Sequence, residues 1–239
     1  PQPPHAGDLL LRGLALYITD GPSAGTPMLK RALRAFREEE VATDEGMRGL
    51  WLAGRAGHIV WEFEDWDALT ARHLQLARNV GALTMLPLAL GTRVGFHLWT
   101  GELQAAASLV QESEAVARAI HGRIVPYAPL VLAAFQGRED EVKRLTQIST
   151  EDFLASGEGM ALTMAQWATA VLYNGLARYE DALGAAEQAA EDPRELWFSN
   201  PFGWPVELIE AASRTGEVER ATDAMEWLSS TARASGSDW

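Results

Sequence analysis

A repeat of about forty residues constrains this chain more than any other property of its sequence. Five stretches share one grammar: FEDWDALTARHLQLA, TGELQAAASLVQESEAVA, QGREDEVKRLTQI, LARYEDALGAAEQAA and TGEVERATDAMEWLSS. In each, an apolar helix ends in a short polar turn and an Ala-rich helix follows. Aligned on the first small buried position of the second helix, the turns fall at Phe63, Gly101, Gly137, Ala177 and Gly216, with spacings of 38, 36, 40 and 39. Gly21 precedes Phe63 by 42. Two helices per period of this length are the signature of a tetratricopeptide-like array. The expected fold is all-α, a right-handed α-solenoid of about six tetratricopeptide-like helix pairs. They are expected at approximately 8–40, 45–80, 83–120, 126–156, 159–191 and 202–234, in a single helical-repeat domain over 1–239.

The turn chemistry agrees. Glycine ends the first helix because it enters the left-handed conformation without penalty. Glu or Asp then opens the second helix, at the positive end of its dipole. Ala106, Ala182 and Ala221 let two helices approach closely. Leu176, Tyr179, Ala182, Leu183 and Ala186 recur at three- and four-residue steps and form one apolar stripe. Strand-length alternation and Asn-Gly hairpin signals are absent.

Gly21–Gly25, GPSAG, matches the G-x-S-x-G nucleophile elbow of serine hydrolases. That elbow needs a strand before Ser23 and a parallel sheet around it. DLLLRGLALYIT reads as a helix instead, with Leu10, Leu14 and Tyr17 or Ile18 on one face. A short LALYI strand is the alternative, but it has no sheet to join. Pro22 suits the first position of a helix, and Asp20 suits its cap. GPSAG is therefore expected to be an inter-helix turn, with the hydrolase as a remote alternative.

Composition narrows the function classes. The 239 residues are 47% apolar, enough to bury a core. The absence of cysteine excludes disulfides and thiolate-held metals and fits a reducing cytoplasm. A net charge of −13 makes a poor nucleic-acid surface. The densest basic run, LKRALRAFREEE, meets its own glutamates and reads as a solvated, self-paired helix face. Apolar runs fall short of the roughly 20 residues that span a bilayer, and no basic n-region marks a signal peptide. PQPPHAG and ARASGSDW look like cut ends, so a fragment of a longer multidomain protein is expected. DPRELWFSNPFGWP, with Pro193, Pro201 and Pro205, reads as a loop into the last pair.

No Walker A loop and no H-E-x-x-H occurs. His5, His58, His73, His97 and His121 lack ligand spacing, so no metal and no cofactor is expected. The acids Glu62, Glu64, Asp65 and Asp67 read as a helix N-terminus. Trp51, Trp61 and Trp66 are expected in the core or between repeats, and Trp197 and Trp204 either there or in an exposed patch. One pattern points to a ligand. Eight residues before the turns at Phe63 and Gly101 stand Arg55 and Arg93. Gly57 and Gly95 match as well, and His58 and His97 fall within one position of matching. Equivalent positions in stacked pairs line one surface, so these residues are candidates for a groove that grips an anion. The competing reading is that the arginines neutralise internal acids.

DLLLRGLALYITDG, LKRALRAFREEE, DEGMRGLWLAGRA, YAPLVLAAFQGREDEV, ATAVLYNGLARYEDALGAAEQA and TARASGSDW resemble the central helical-repeat region of large ATP-binding LuxR-type transcriptional regulators of high-GC actinobacteria. The resemblance covers nearly the whole chain. It implies an ATPase before this region and a helix-turn-helix after it, both outside the chain. It carries over no catalytic residue. It implies a non-catalytic, cytoplasmic sensor module, with protein or interdomain contacts and an inducer as its possible partners. The alternative is a dedicated small-molecule receptor domain. Neither direct nucleic-acid binding nor membrane association is expected.

Overall fold

The computed structural model describes residues 5–38, 43–121, 125–154, 159–190 and 203–237. Among them the chain is entirely helical, in twelve α-helices. They are α1 (Ala6–Asp20), α2 (Pro22–Glu38), α3 (Thr43–Ile59), α4 (Phe63–Asn79), α5 (Leu86–Trp99) and α6 (Leu103–Ile120), then α7 (Tyr127–Phe135), α8 (Glu139–Leu154), α9 (Gly159–Gly175), α10 (Tyr179–Ala190), α11 (Gly203–Thr215) and α12 (Val218–Ser235). The sequence periodicity placed every one of these pairs within a few residues. Pro193, Trp197 and Pro201 lie outside the described residues.

The turns repeat in atomic detail. One residue with positive φ closes each first helix: Gly21, Trp61, Gly101, Gly137, Ala177 and Gly216. After the last five, the next residue's N–H reaches back to a carbonyl five positions earlier. These bonds run from Glu62 to Gly57, Glu102 to His97, Arg138 to Ala133, Arg178 to Tyr173 and Glu217 to Ala212, at 2.8–3.0 Å. This is the Schellman closure, which satisfies carbonyls that the helix end leaves open. It corrects the sequence register at one point, because the turn residue of the second hairpin is Trp61 and not Phe63. The spacings become 40, 40, 36, 40 and 39. Trp61 holds a left-handed backbone without being glycine, so composition gave no sign of it.

GPSAG is the first of these turns. The residues before it are α1 and not a strand, Gly21 is the turn, and Ser23 sits exposed in the first turn of α2. Asp20 closes α1. Gly25 is needed for packing: a Cβ there would come within 2.5 Å of the Tyr17 Cα and N, so the two backbones meet.

The chain divides into two compact units, Pro1–Arg123 with Ser230–Trp239, and Ile124–Ser229. In the first, Met47, Leu74, Ala77, Leu86, Ala89 and Leu90 of α3, α4 and α5 form one core. In the second, alanines dominate: Ala170, Ala182, Ala185, Ala186, Ala211 and Ala212 pack with Leu183 and Leu208. Small side chains bring helices close and make up in contact what they lack in area.

One joint recurs in both units. A second helix shows the face two, six and nine residues past the turn to the first helix of the next hairpin. In the first unit these are Phe63, Asp67 and Thr70 of α4, which meet Phe96 and Arg93 of α5. In the second they are Tyr179, Leu183 and Ala186 of α10. Tyr179 lies under Arg214 of α11, and the other two share a core with Leu208 and Ala211.

Candidate functional site

The four candidate residues edge an aromatic cluster built from α3, α4 and α5. Glycine positions it. A Cβ on Gly57 would stand 3.2 Å from the Trp66 Cα and N, and one on Gly54 would stand 3.0 Å from the Thr70 Cγ2. These glycines let α4 close onto α3 and lay Trp66 over His58. The rings stack at 4.4 Å between centroids and 22°. Trp99 of α5 approaches the same imidazole at 5.9 Å. Phe96 meets the edge of Trp66 at 5.2 Å and Phe63 at 5.1 Å. Aromatic pairs at these separations add attraction beyond their buried area.

The charged groups surround this cluster. The Arg93 guanidinium lies 4.5 Å from the Phe96 ring centre, a cation–π contact. Its Nη1 donates to Asp67 Oδ1 at 2.5 Å, to the Asp67 carbonyl at 3.2 Å and to Thr70 Oγ1 at 3.2 Å. The His97 ring crosses Phe96 at 5.7 Å, and its Nδ1 lies 2.6 Å from Glu102 Oε2, just past the turn. Arg55 is half-buried, and loss of water lowers its pKa to about 10, so it stays charged at neutral pH. Burial first, and then the Arg55 charge, hold His58 well below the usual histidine range, as a neutral ring.

The corrected register separates the two arginines. Arg55 stands six residues before Trp61, whereas Arg93 stands eight before Gly101. The position of Arg93 is taken in the second hairpin by Ala53, and that of Arg55 in the third by Gly95. Two residues turn a helix by about 200°, so the pair is not a rung of equivalent positions. Arg93 instead binds an acid of the preceding helix, as the competing reading had it.

The acids of WEFEDWD show the same use. Glu64 and Asp65 lie in the first turn of α4. Glu62 pairs with Lys30, buried Asp65 with Arg37 at 3.0 Å, and Asp67 with Arg93. Lys30 and Arg37 belong to the basic run expected to pair with its own glutamates, and they reach α4 instead. Arg72 adds a bond back to the Phe36 carbonyl. Trp66 is buried, whereas Trp51 and Trp61 are half-buried. Trp204 is half-buried against Trp227, at 5.4 Å.

Two features of the second unit were not found from sequence. Asn174, buried in α9, donates through Nδ2 to the Glu207 carbonyl at 3.0 Å and to its Oε2 at 2.7 Å. Burial raises the Glu207 pKa, and the Asn174 bond pulls it back. An amide inside the apolar run TAVLYNG was the available signal. The other feature is an opening of about 300 Å³ between α8 and α9, lined by Val142, Lys143, Thr146, Thr169, Leu172 and Tyr173. Lys143 is drawn toward Glu139, which also receives Arg178.

Among the described residues no group of three or more His, Asp or Glu is arranged to hold a metal ion. Among them, too, no helix is long and apolar enough to cross a membrane. No protein-family model matches this chain, and no curated protein matches it.

Proposed function

We propose that the chain is a non-catalytic regulatory module that works through protein and interdomain contacts, as the middle region of a LuxR-type transcriptional regulator. In this reading the hairpins form a right-handed α-solenoid of tetratricopeptide-like pairs, and its exposed helix faces receive partners. One observation carries it. The same turn closes five successive hairpins, and the same helix face joins α4 to α5 and α10 to α11. Arrays with that construction offer long surfaces rather than a single reactive centre. The charged candidates that touch the aromatic cluster are engaged inside the fold, Arg93 by Asp67 and His97 by Glu102. The acidic balance of −13 favours basic protein surfaces over nucleic acid as partners.

A receptor reading has one observation of its own, the opening between α8 and α9. At about 300 Å³ it sits at the lower end of small-molecule sites. Tyr173 and Leu172 supply its apolar wall, and Lys143 and Thr146 its polar groups.

The test is replacement of residues 5–237 by a flexible linker in the full-length regulator. DNA binding by the separate helix-turn-helix survives, and the response of transcription to ATP and inducer is lost. A response that persists without this segment overturns the proposal. Leu172→Trp fills the opening, and loss of the response in that variant alone selects the receptor reading.

A further inference from the structure

The joint between hairpins is closed in one of two ways where α4 meets α5 and where α10 meets α11. At the first, Arg93 and Phe96, eight and five residues before their turn, reach across. Arg93 bonds Asp67 and Thr70, and Phe96 meets Phe63. At the second, the helices come together on Ala182, Ala186, Ala211 and Ala212, with Leu183 and Leu208 filling what is left. Between α8 and α9 neither closure is available. Five, six and nine residues past Gly137 stand Val142, Lys143 and Thr146, and eight and five before Ala177 stand Thr169 and Leu172. Val142 takes the position of Ala182 and Thr146 that of Ala186, so the alanine approach is blocked, since side-chain size sets the distance between packed helices. Thr169 takes the position of Arg93 and is too short to span the gap. The opening of about 300 Å³ lies among these residues.

The walls select a ligand. The position that holds the acid Asp67 on α4 holds the base Lys143 on α8, and the residue opposite is a threonine. The Lys143 ammonium rests 2.8 Å from Glu139 Oε1, one turn back on its own helix. Glu139 also receives Arg178 Nη1 at 2.9 Å. Lys143 can therefore turn into the opening without leaving that carboxylate unpaired. The Arg178 guanidinium lies 4.1 Å from the centre of the Tyr173 ring and fixes it as one wall. Leu172 and Val142 supply the rest of the apolar surface. Thr169 Oγ1 donates to the Ala165 carbonyl at 2.8 Å, so what it offers a guest is an acceptor.

We propose that the opening between α8 and α9 binds a small aromatic carboxylate that also carries a hydroxyl or N–H donor. The carboxylate meets Lys143, the ring lies against Leu172 and Tyr173, and the donor bonds Thr169. The guest thus closes the joint with the charges reversed, where α5 closes its own with the flat guanidinium of Arg93 and the ring of Phe96. At about 30 Å³ for each water displaced, the volume admits roughly ten non-hydrogen atoms, which is one ring with its substituents. The proposal rests on the receptor reading and names the ligand class for it.

The experiment is calorimetric titration of the 239-residue chain with 4-hydroxybenzoate and with its neutral amide, 4-hydroxybenzamide. The carboxylate binds, and the amide binds at least about tenfold more weakly, the least that a charge-assisted hydrogen bond contributes. Lys143→Met keeps the stem and removes the charge, so it brings the carboxylate down to the level of the amide. Lys143→Arg retains the preference. Thr169→Leu puts in place the leucine that α11 uses at this position, closes the joint and abolishes binding of both. Circular dichroism melts check that each variant folds, and Lys143, with 60% of its side chain exposed, tolerates replacement whatever Thr169→Leu does. A wild type that binds neither compound at about 1 mM overturns the proposal. Equal binding of acid and amide, unchanged in Lys143→Met, overturns it equally. If Thr169→Leu still abolishes that equal binding, the ligand class falls and the receptor reading stands. The receptor reading itself falls only if the full-length response survives Leu172→Trp.

Discussion

Arg93 reaches from α5 to the Asp67 carboxylate on α4 at 2.5 Å while its guanidinium rests on the Phe96 ring. One side chain thus joins two hairpins by charge while resting on an aromatic face of its own helix. Its exposure is 16%, against 46% for Asp67, so solvent screens part of the attraction. Arg93→Ala should cost about 1–2 kcal/mol, below the upper range for charged hydrogen bonds for that reason. Lysine lacks the fork and the flat ring contact, so Arg93→Lys should recover only part of the loss. Chemical denaturation of both variants measures this. Unchanged stability in Arg93→Ala would free the residue for a ligand role.

Ser23 and Gly25 of GPSAG should respond differently to alanine. Ser23 is exposed in the first turn of α2, so Ser23→Ala should shift stability by less than about 0.5 kcal/mol. Gly25 faces the Tyr17 backbone without room for a Cβ, and backbone cannot give way as a flexible side-chain tip can. Gly25→Ala should cost about 3 kcal/mol or more, beyond ordinary overpacking. Thermal melts of the two variants decide it. Similar melting temperatures would contradict the close approach of α1 and α2.

Ala177 occupies, at φ 57°, the turn position that Gly101, Gly137 and Gly216 fill elsewhere. A Cβ in the left-handed region costs about 1–2 kcal/mol, and glycine returns part of that as unfolded-chain entropy. Ala177→Gly should therefore stabilise the protein by about 0.5–1 kcal/mol. A loss of stability in urea titrations would count against this turn geometry.

His73 is 0% exposed, and among the described residues neither ring nitrogen has a hydrogen-bond partner. Burial lowers its pKa to about 4, against about 6.5 in the unfolded chain. The folded state therefore binds fewer protons than the unfolded state between these values. The contribution of neutral His73 is full above pH 6.5 and is lost as pH falls toward 4, by at most about 3 kcal/mol. His58 acts in the same direction. His73→Leu should flatten the fall of stability between pH 6.5 and 4 relative to wild type. Parallel curves for the two proteins would contradict the burial of a neutral ring.

The helix pairs were legible because their cause is local. Apolar periodicity, Gly at turns and acids after them lie within a few residues of each other. Trp61 was not legible as a turn, because the register was set on the first small residue of the second helix, which in this hairpin is Ala68, whereas the position five past the turn holds the bulky Trp66. That slip of two residues produced the apparent Arg55–Arg93 match. Partners across helices were also out of reach. Nothing in LKRALRAFREEE says that Lys30 and Arg37 cross to Glu62 and Asp65, since both choices satisfy the same charges. Asn174 and Glu207 lie 33 residues apart in different helices, and only packing brings them together.

Backbone resonance assignment tests the hairpin repeat most directly. Three-bond HN–Hα couplings and carbon shifts report φ at each residue without reference to packing. Positive φ is predicted at Trp61 and Ala177 as well as at Gly101, Gly137 and Gly216, with helical shifts on both sides and throughout Ala6–Asp20. Helical shifts running unbroken through Trp61, or extended-strand shifts before Gly21, would contradict the account.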